Sequence, residues 1–239
     1  MRLYTAFLAV AMLLPASLPV RTHNTLQPVK KYDYAATWKK IQELEENGLP
    51  ESALTLVEEI YARAKSGNDA PQLVKAVIYK MKYAEYKEED SFIKNLTRLE
   101  EEIKTAGFPV KPVLQSMLAE SYWNYYRNNR YRFDDRTETA GFENDDIATW
   151  SLSRIVSETM ENYRLSLLDA EKLKQVRIGV MEEILTTGNA KGRICRPTLY
   201  DFLANRAVDF YMNDEPSLVR PAYEFTLNRA DYLSGAETF

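Results

Sequence analysis

Arg-Pro-Thr-Leu-Tyr-Asp-Phe-Leu-Ala-Asn-Arg-Ala-Val-Asp-Phe-Tyr-Met-Asn-Asp, residues 196–214, is the stretch from which the fold class follows. Leu199, Phe202, Leu203, Ala207 and Phe210 recur at helical spacing and form one apolar stripe. Tyr200, Ala204, Val208 and Tyr211 form a second stripe beside it, leaving Asp201, Asn205, Arg206 and Asp209 as the polar remainder. Pro197 suits the first turn of such a helix, where its missing N–H would go unpaired in any case. A helix apolar over most of its circumference belongs between other helices, so this stretch is expected to be the element around which the others pack.

The same periodicity extends back through the chain. Helices are predicted over residues 34–46 (capped by Asp33, with Trp38, Ile41 and either Leu44 or Ala35 inward), 50–65 (Ala53, Leu54, Val57, Ile60, Tyr61 and Ala64) and from the Asn-Asp-Ala-Pro cap at 68–71 to about residue 86. Further helices are predicted over 91–106, 111–130, 148–169 and 170–186, with a weaker one over 218–233. Gly48, the Gly-Phe-Pro at 107–109 and the Gly-Asn-Ala-Lys-Gly at 188–192 separate them. Residues 131–147 lose all periodicity and read as a loop, long for a compact domain. With only 8 Gly and 10 Pro in 239 residues, the chain has too few turn formers for a sandwich or barrel of short strands. The expected fold is all-α, an irregular tetratricopeptide-like array of helical hairpins, because Trp38 through Ala64 with the following Pro71 resembles one such hairpin in length and residue placement.

The amino terminus carries a different signal. Arg2 is followed by an uncharged, mostly apolar run at 3–14, and Pro15, Ala16, Ser17 and Pro19 end it before a polar segment. About a dozen apolar residues suit an export signal, whereas a spanning helix needs roughly 20; extending the run to Val20 gives the competing reading of an uncleaved anchor. The expected organisation is a signal peptide at 1–20, a linker at 21–32 and a helical domain at 33–239, in an exported, periplasmic or envelope protein with no membrane span after signal removal. A net charge of -4 spread along the chain offers no basic face for nucleic acid.

Candidate chemistry is sparse. His23, the single histidine, falls in the linker, so no histidine is available as a base or metal ligand in the helical domain. Cys195 lies near Arg193 and Arg196 at the expected start of the 196–214 helix, a setting that can lower a thiol pKa; the competing reading is a small apolar filler. Asp134, Asp135, Glu138, Glu143, Asp145 and Asp146 could bind calcium but lack EF-hand spacing, so a solvated acidic loop competes. Asp201 and Asp209 could serve as acid and base, yet eight residues at 1.5 Å each put them about 12 Å apart, and ion pairs with Arg193, Arg196 or Arg206 are the alternative use. The densest aromatic and basic segment, residues 122–133, supplies the candidate partner-binding residues Tyr122, Tyr126, Arg127 and Arg130, against the competing reading of aromatics at helical spacing as core. No catalytic, metal or cofactor site is expected.

Tyr-Ala-Ala-Thr-Trp-Lys at 34–39, Gly-Leu-Pro-Glu-Ser-Ala at 48–53, Ala-Pro-Gln-Leu-Val-Lys-Ala at 70–76 and above all residues 196–207 resemble the amino-terminal helical region of bacterial α2-macroglobulin-like envelope proteins, of the type common in Bacteroidetes. The resemblance covers about residues 32–239. It implies a non-enzymatic exported module, standing ahead of β-sandwich domains in a protein thought to act in protease trapping or envelope defence. The sandwich strands, the bait-like segment and a Cys-x-Glu-Gln motif are missing here, since Cys195 is followed by Arg-Pro-Thr, so no family site residue carries over. The expected partner is another protein or the missing carboxy-terminal domains, as for an amino-terminal fragment; the alternative is a free-standing scaffold that binds extended peptides in a groove.

Overall fold

The structure, a computed structural model, describes residues 32–133, 146–185 and 190–213. Every described helix belongs to the unit Tyr34–Phe239. These are α1 (Tyr34–Glu46), α2 (Pro50–Gly67), α3 (Ala70–Ala84), α4 (Ser91–Thr105), α5 (Val110–Asn128), α6 (Leu152–Ser166), α7 (Ala170–Gln175), α8 (Ala190–Cys195) and α9 (Leu199–Tyr211). Among the described residues there is no strand, only an isolated antiparallel bridge between Arg177 and Thr198. The architecture is an irregular all-α array.

The first three helices follow their punctuation. Gly48 at φ 71° makes the tight reversal after α1, a conformation that costs glycine little. Asn68 at φ 52° closes α2 in the left-handed region, and Asp69 caps α3 by accepting from the Gln72 N–H. Glu45 near the end of α1 holds Lys82 near the end of α3 at 2.6 Å, and Glu51 at the start of α2 holds Lys87 beyond α3 at 2.8 Å. So α1 and α3 run the same way with α2 antiparallel between them.

The central helix is α5. Twelve of its residues are buried, among them Val113, Leu114, Leu118, Ala119, Tyr122, Trp123, Tyr125 and Tyr126, because it packs against α3, α4, α6 and α9. Fully burying a side chain such as Leu114 or Ile155 of α6 contributes about 1.5–3 kcal/mol before entropy is charged against it. The expectation that residues 196–214 form the centre is therefore corrected. In α9, Leu199, Leu203, Ala207 and Phe210 are buried, but the second stripe is not: Val208 is 47% and Tyr211 51% exposed. Among the described residues the helices that pack on α9 are α5, α6 and α7, and they cover the Leu199–Leu203–Ala207–Phe210 stripe.

Two further boundaries differ from expectation. Residues 170–186 do not form one helix: α7 stops at Gln175, the chain extends through Val176 and Arg177, and a 3-10 turn covers Ile178–Ile184. The β-branched Val176, Ile178 and Val180 and the intervening Gly179 are weak helix formers, and the backbone finds other partners. Ile178 N–H donates to the Pro197 carbonyl at 3.0 Å, and Leu199 N–H to the Val176 carbonyl at 2.8 Å. That pairing moves Pro197 out of the helix, so α9 begins after it, with Thr198 as N-cap. The Gly192 expected to break the chain lies within α8. The expected 218–233 helix and most of the 131–147 loop lie outside the described residues.

Candidate functional site

Around Thr198 the local structure settles the role of one candidate acid. Asp201 accepts from the Thr198 N–H at 3.0 Å and from its hydroxyl at 2.7 Å, and the Thr198 hydroxyl accepts from the Asp201 N–H at 3.3 Å. This is a capping box, and Asp201 also carries negative charge into the first turn, where the helix dipole favours it. Asp209 sits exposed on the same helix, and Arg206, expected to pair with these acids, reaches instead to Glu120 at 2.6 Å and to the Ser116 hydroxyl at 2.8 Å on α5. Thr198→Ala is expected to lower stability by about 1 kcal/mol, read as a shift in the urea midpoint at unchanged slope; an unchanged midpoint would remove the cap from the account.

The remaining chemical candidates do not converge. Cys195 is exposed at the end of α8, which corrects both its placement at a helix start and the filler reading. His23 and the acidic residues 134–145 lie outside the described residues, while Asp146 caps the 3-10 turn Ile147–Thr149 by accepting from the Ala148 N–H. Among the described residues no group of three or more His, Cys, Asp or Glu is placed to hold a metal ion, and no helix is long and apolar enough to cross a membrane.

Of the four candidate partner-binding residues, Tyr122 and Tyr126 are interior. They are 3% and 4% exposed and cannot line an open groove. Tyr122 packs on Trp150 at 5.3 Å between ring centres and donates its hydroxyl to Glu100 at 2.6 Å; burial, then this carboxylate, pushes its phenol well above the usual range. Tyr126 lies between Trp123 and Phe133. Arg127 and Arg130 are exposed, the first bonded to Asn124 and the second lying over the Tyr126 ring, so the four form no common surface. The core reading of these aromatics is the one that the burial supports.

The site that stands out lies elsewhere. A cleft of about 650 Å³ opens where α2 and α4 flank α3, a volume within the range of ligand-binding clefts. Its apolar lining is Leu54 from α2, Val77, Met81 and Ala84 from α3, and Leu99 from α4. One end is closed by a polar cluster: Tyr61 donates to Glu102, and the Lys65 ammonium donates to the Tyr61 hydroxyl at 2.7 Å and to Glu102 at 2.9 Å. Burial and then the hydrogen bond to Glu102 raise the Tyr61 phenol. The bond to Tyr61 and the one to Glu102 raise Lys65 against its burial, so Lys65 stays charged through neutral pH and its contribution is lost only as pH climbs past the lysine range.

The rim is a series of ion pairs. Besides Lys65 with Glu102, it holds Lys87 with Glu51, Arg98 with Glu88 at 2.6 Å and Glu101 with Lys104 at 2.6 Å. Lys80 differs: its ammonium lies 4.2 Å from the centre of the Tyr61 ring and, among the described residues, pairs with no carboxylate. Leu54 and Tyr61 fall at inward-facing positions of the sequence pattern, but the pattern does not show the cleft. Its lining is drawn from three helices, so no single stretch of sequence carries its signal. Compared with models of known protein families, with curated proteins and with solved structures, the chain has no significant match.

Proposed function

We propose that this chain is a non-enzymatic, exported helical module that works by holding a polypeptide segment of a partner protein in the α2–α3–α4 cleft. The observation that carries the reading is the cleft itself: an apolar floor with a charged rim, framed by three helices, suits anchor side chains spaced along an amphipathic helix or extended strand. The apolar run at 3–14 supports export, and recovery of the chain from the cytosol with residues 1–20 intact would remove that part.

A displayed peptide library panned against the protein tests the cleft. Thr97 is exposed on its α4 wall, so Thr97→Trp fills the opening without touching the core. Selected peptides are expected to lose at least about tenfold in affinity for that variant, equivalent to about 1.4 kcal/mol. Selection of no binders, or of binders indifferent to Thr97→Trp, overturns the reading. A second reading rests on the resemblance at residues 196–207, in which the module docks onto β-sandwich domains of a longer α2-macroglobulin-like protein. Coding sequence beyond Phe239 that specifies no such domains would count against it.

A further inference from the structure

We infer that the segment taken up by the cleft is acidic as well as apolar, with a carboxylate beside its anchor side chains that meets Lys80. The inference rests on the cleft being a polypeptide site, and it follows from what happens to charge when the cleft fills. Every other cation on the lining already has an acid: Lys65 has Glu102, Lys87 has Glu51 and Arg98 has Glu88. Lys80 is half-buried and has only the face of the Tyr61 ring. That contact attracts a cation but replaces little of the water an ammonium holds.

An apolar occupant settling on the part-exposed Leu54 and Met81 would strip water from Lys80, and a desolvated charge is costly unless paired. An occupant that brings a carboxylate removes this cost, whereas one that brings a cation adds repulsion to it. The lining does hold one acid without an ion pair among the described residues, Glu58 on α2. Glu58 is exposed, so it keeps its water when the cleft fills and discriminates weakly. The half-buried charge decides the sign.

The test uses synthetic fluorescent peptides made from the tightest library binder in three versions, carrying Glu, Gln or Lys at the position flanking its apolar anchors, with binding read by anisotropy. The Glu version is expected to bind about three- to tenfold tighter than the Lys version at low salt, with the ratio shrinking as salt is added. Lys80→Glu is expected to reverse the order and Lys80→Gln to abolish the difference, each with an unchanged circular dichroism spectrum. If the peptides bind but the order is the same for wild type, Lys80→Gln and Lys80→Glu, the acidic preference is overturned while the cleft stands. If no peptide binds, or Thr97→Trp binds them all equally well, the polypeptide-binding reading falls and the preference with it.

Discussion

Trp123→Ala is expected to destabilise the fold by about 3–5 kcal/mol, the range for truncating a buried indole to a methyl group. Trp123 is 6% exposed in the carboxy-terminal half of the central helix. Its ring packs against Tyr126 with centres 4.9 Å apart and edge-on to Phe210 of α9 at 5.1 Å, while Phe210 in turn packs on Tyr163 of α6 at 5.5 Å. Burial pushes the Tyr163 phenol up to about 12, with Arg206 opposing the shift and Glu120 and Asp209 adding to it. Removing the indole therefore leaves a void where α5, α6 and α9 meet, and the rings around it cannot all close in without giving up a neighbour. For a domain whose whole stability is typically about 5–15 kcal/mol, this is a large fraction. Urea unfolding should show a large fall in midpoint, with Trp123→Phe recovering much of it. A loss under about 1 kcal/mol would mean that α9 is not held through this ring.

How much of this was legible in the sequence differs by element. Helix existence was written in the 3.6-residue spacing, and α1 and α4 fall within a residue of their expected bounds because Gly48, Asp90 and Gly107 flank them with turn chemistry. The centre was not legible by counting apolar stripes. Residues 110–128 and 199–211 both show two, and only the number of neighbours that assembly brings to each decides which is enclosed. The capping box was legible as Thr-x-x-Asp at 198–201 and was masked by the attraction of Pro197 as a helix start. The cleft was illegible for a different reason. Its residues are ordinary core and surface positions on three helices, and the unpaired state of Lys80 depends on which carboxylates the other cations have already taken.

Gln72 carries the second large effect, because it ties the floor of the cleft to two other elements. It is 4% exposed on α3, accepts from the Trp38 indole N–H of α1 at 2.7 Å and donates its amide to Glu183 in the 3-10 turn Ile178–Ile184. Lys75, one turn along α3, lies 4.4 Å from the Trp38 ring centre and 3.9 Å from Glu183; burial lowers its pKa and Glu183 opposes that. Gln72→Leu leaves the indole N–H without its acceptor, at a cost of about 1–3 kcal/mol, and also removes the amide that Glu183 accepts from. Gln72→Glu keeps an acceptor for Trp38 but sets a second carboxyl against Glu183. Repulsion and burial raise the folded-state pKa of the new group above its unfolded value. Such a group costs nothing below the unfolded pKa, near 4.3 for a free Glu, and the deficit opens as pH rises through the folded value. Gln72→Glu should therefore approach wild type in acid and fall below it at neutral pH, with faster hydrogen exchange at residues 178–185 as the turn leaves α3. Equal stability of Gln72→Glu and wild type at neutral pH would separate Glu183 from Gln72, and with it the clamp that fixes α3 from the side away from the cleft.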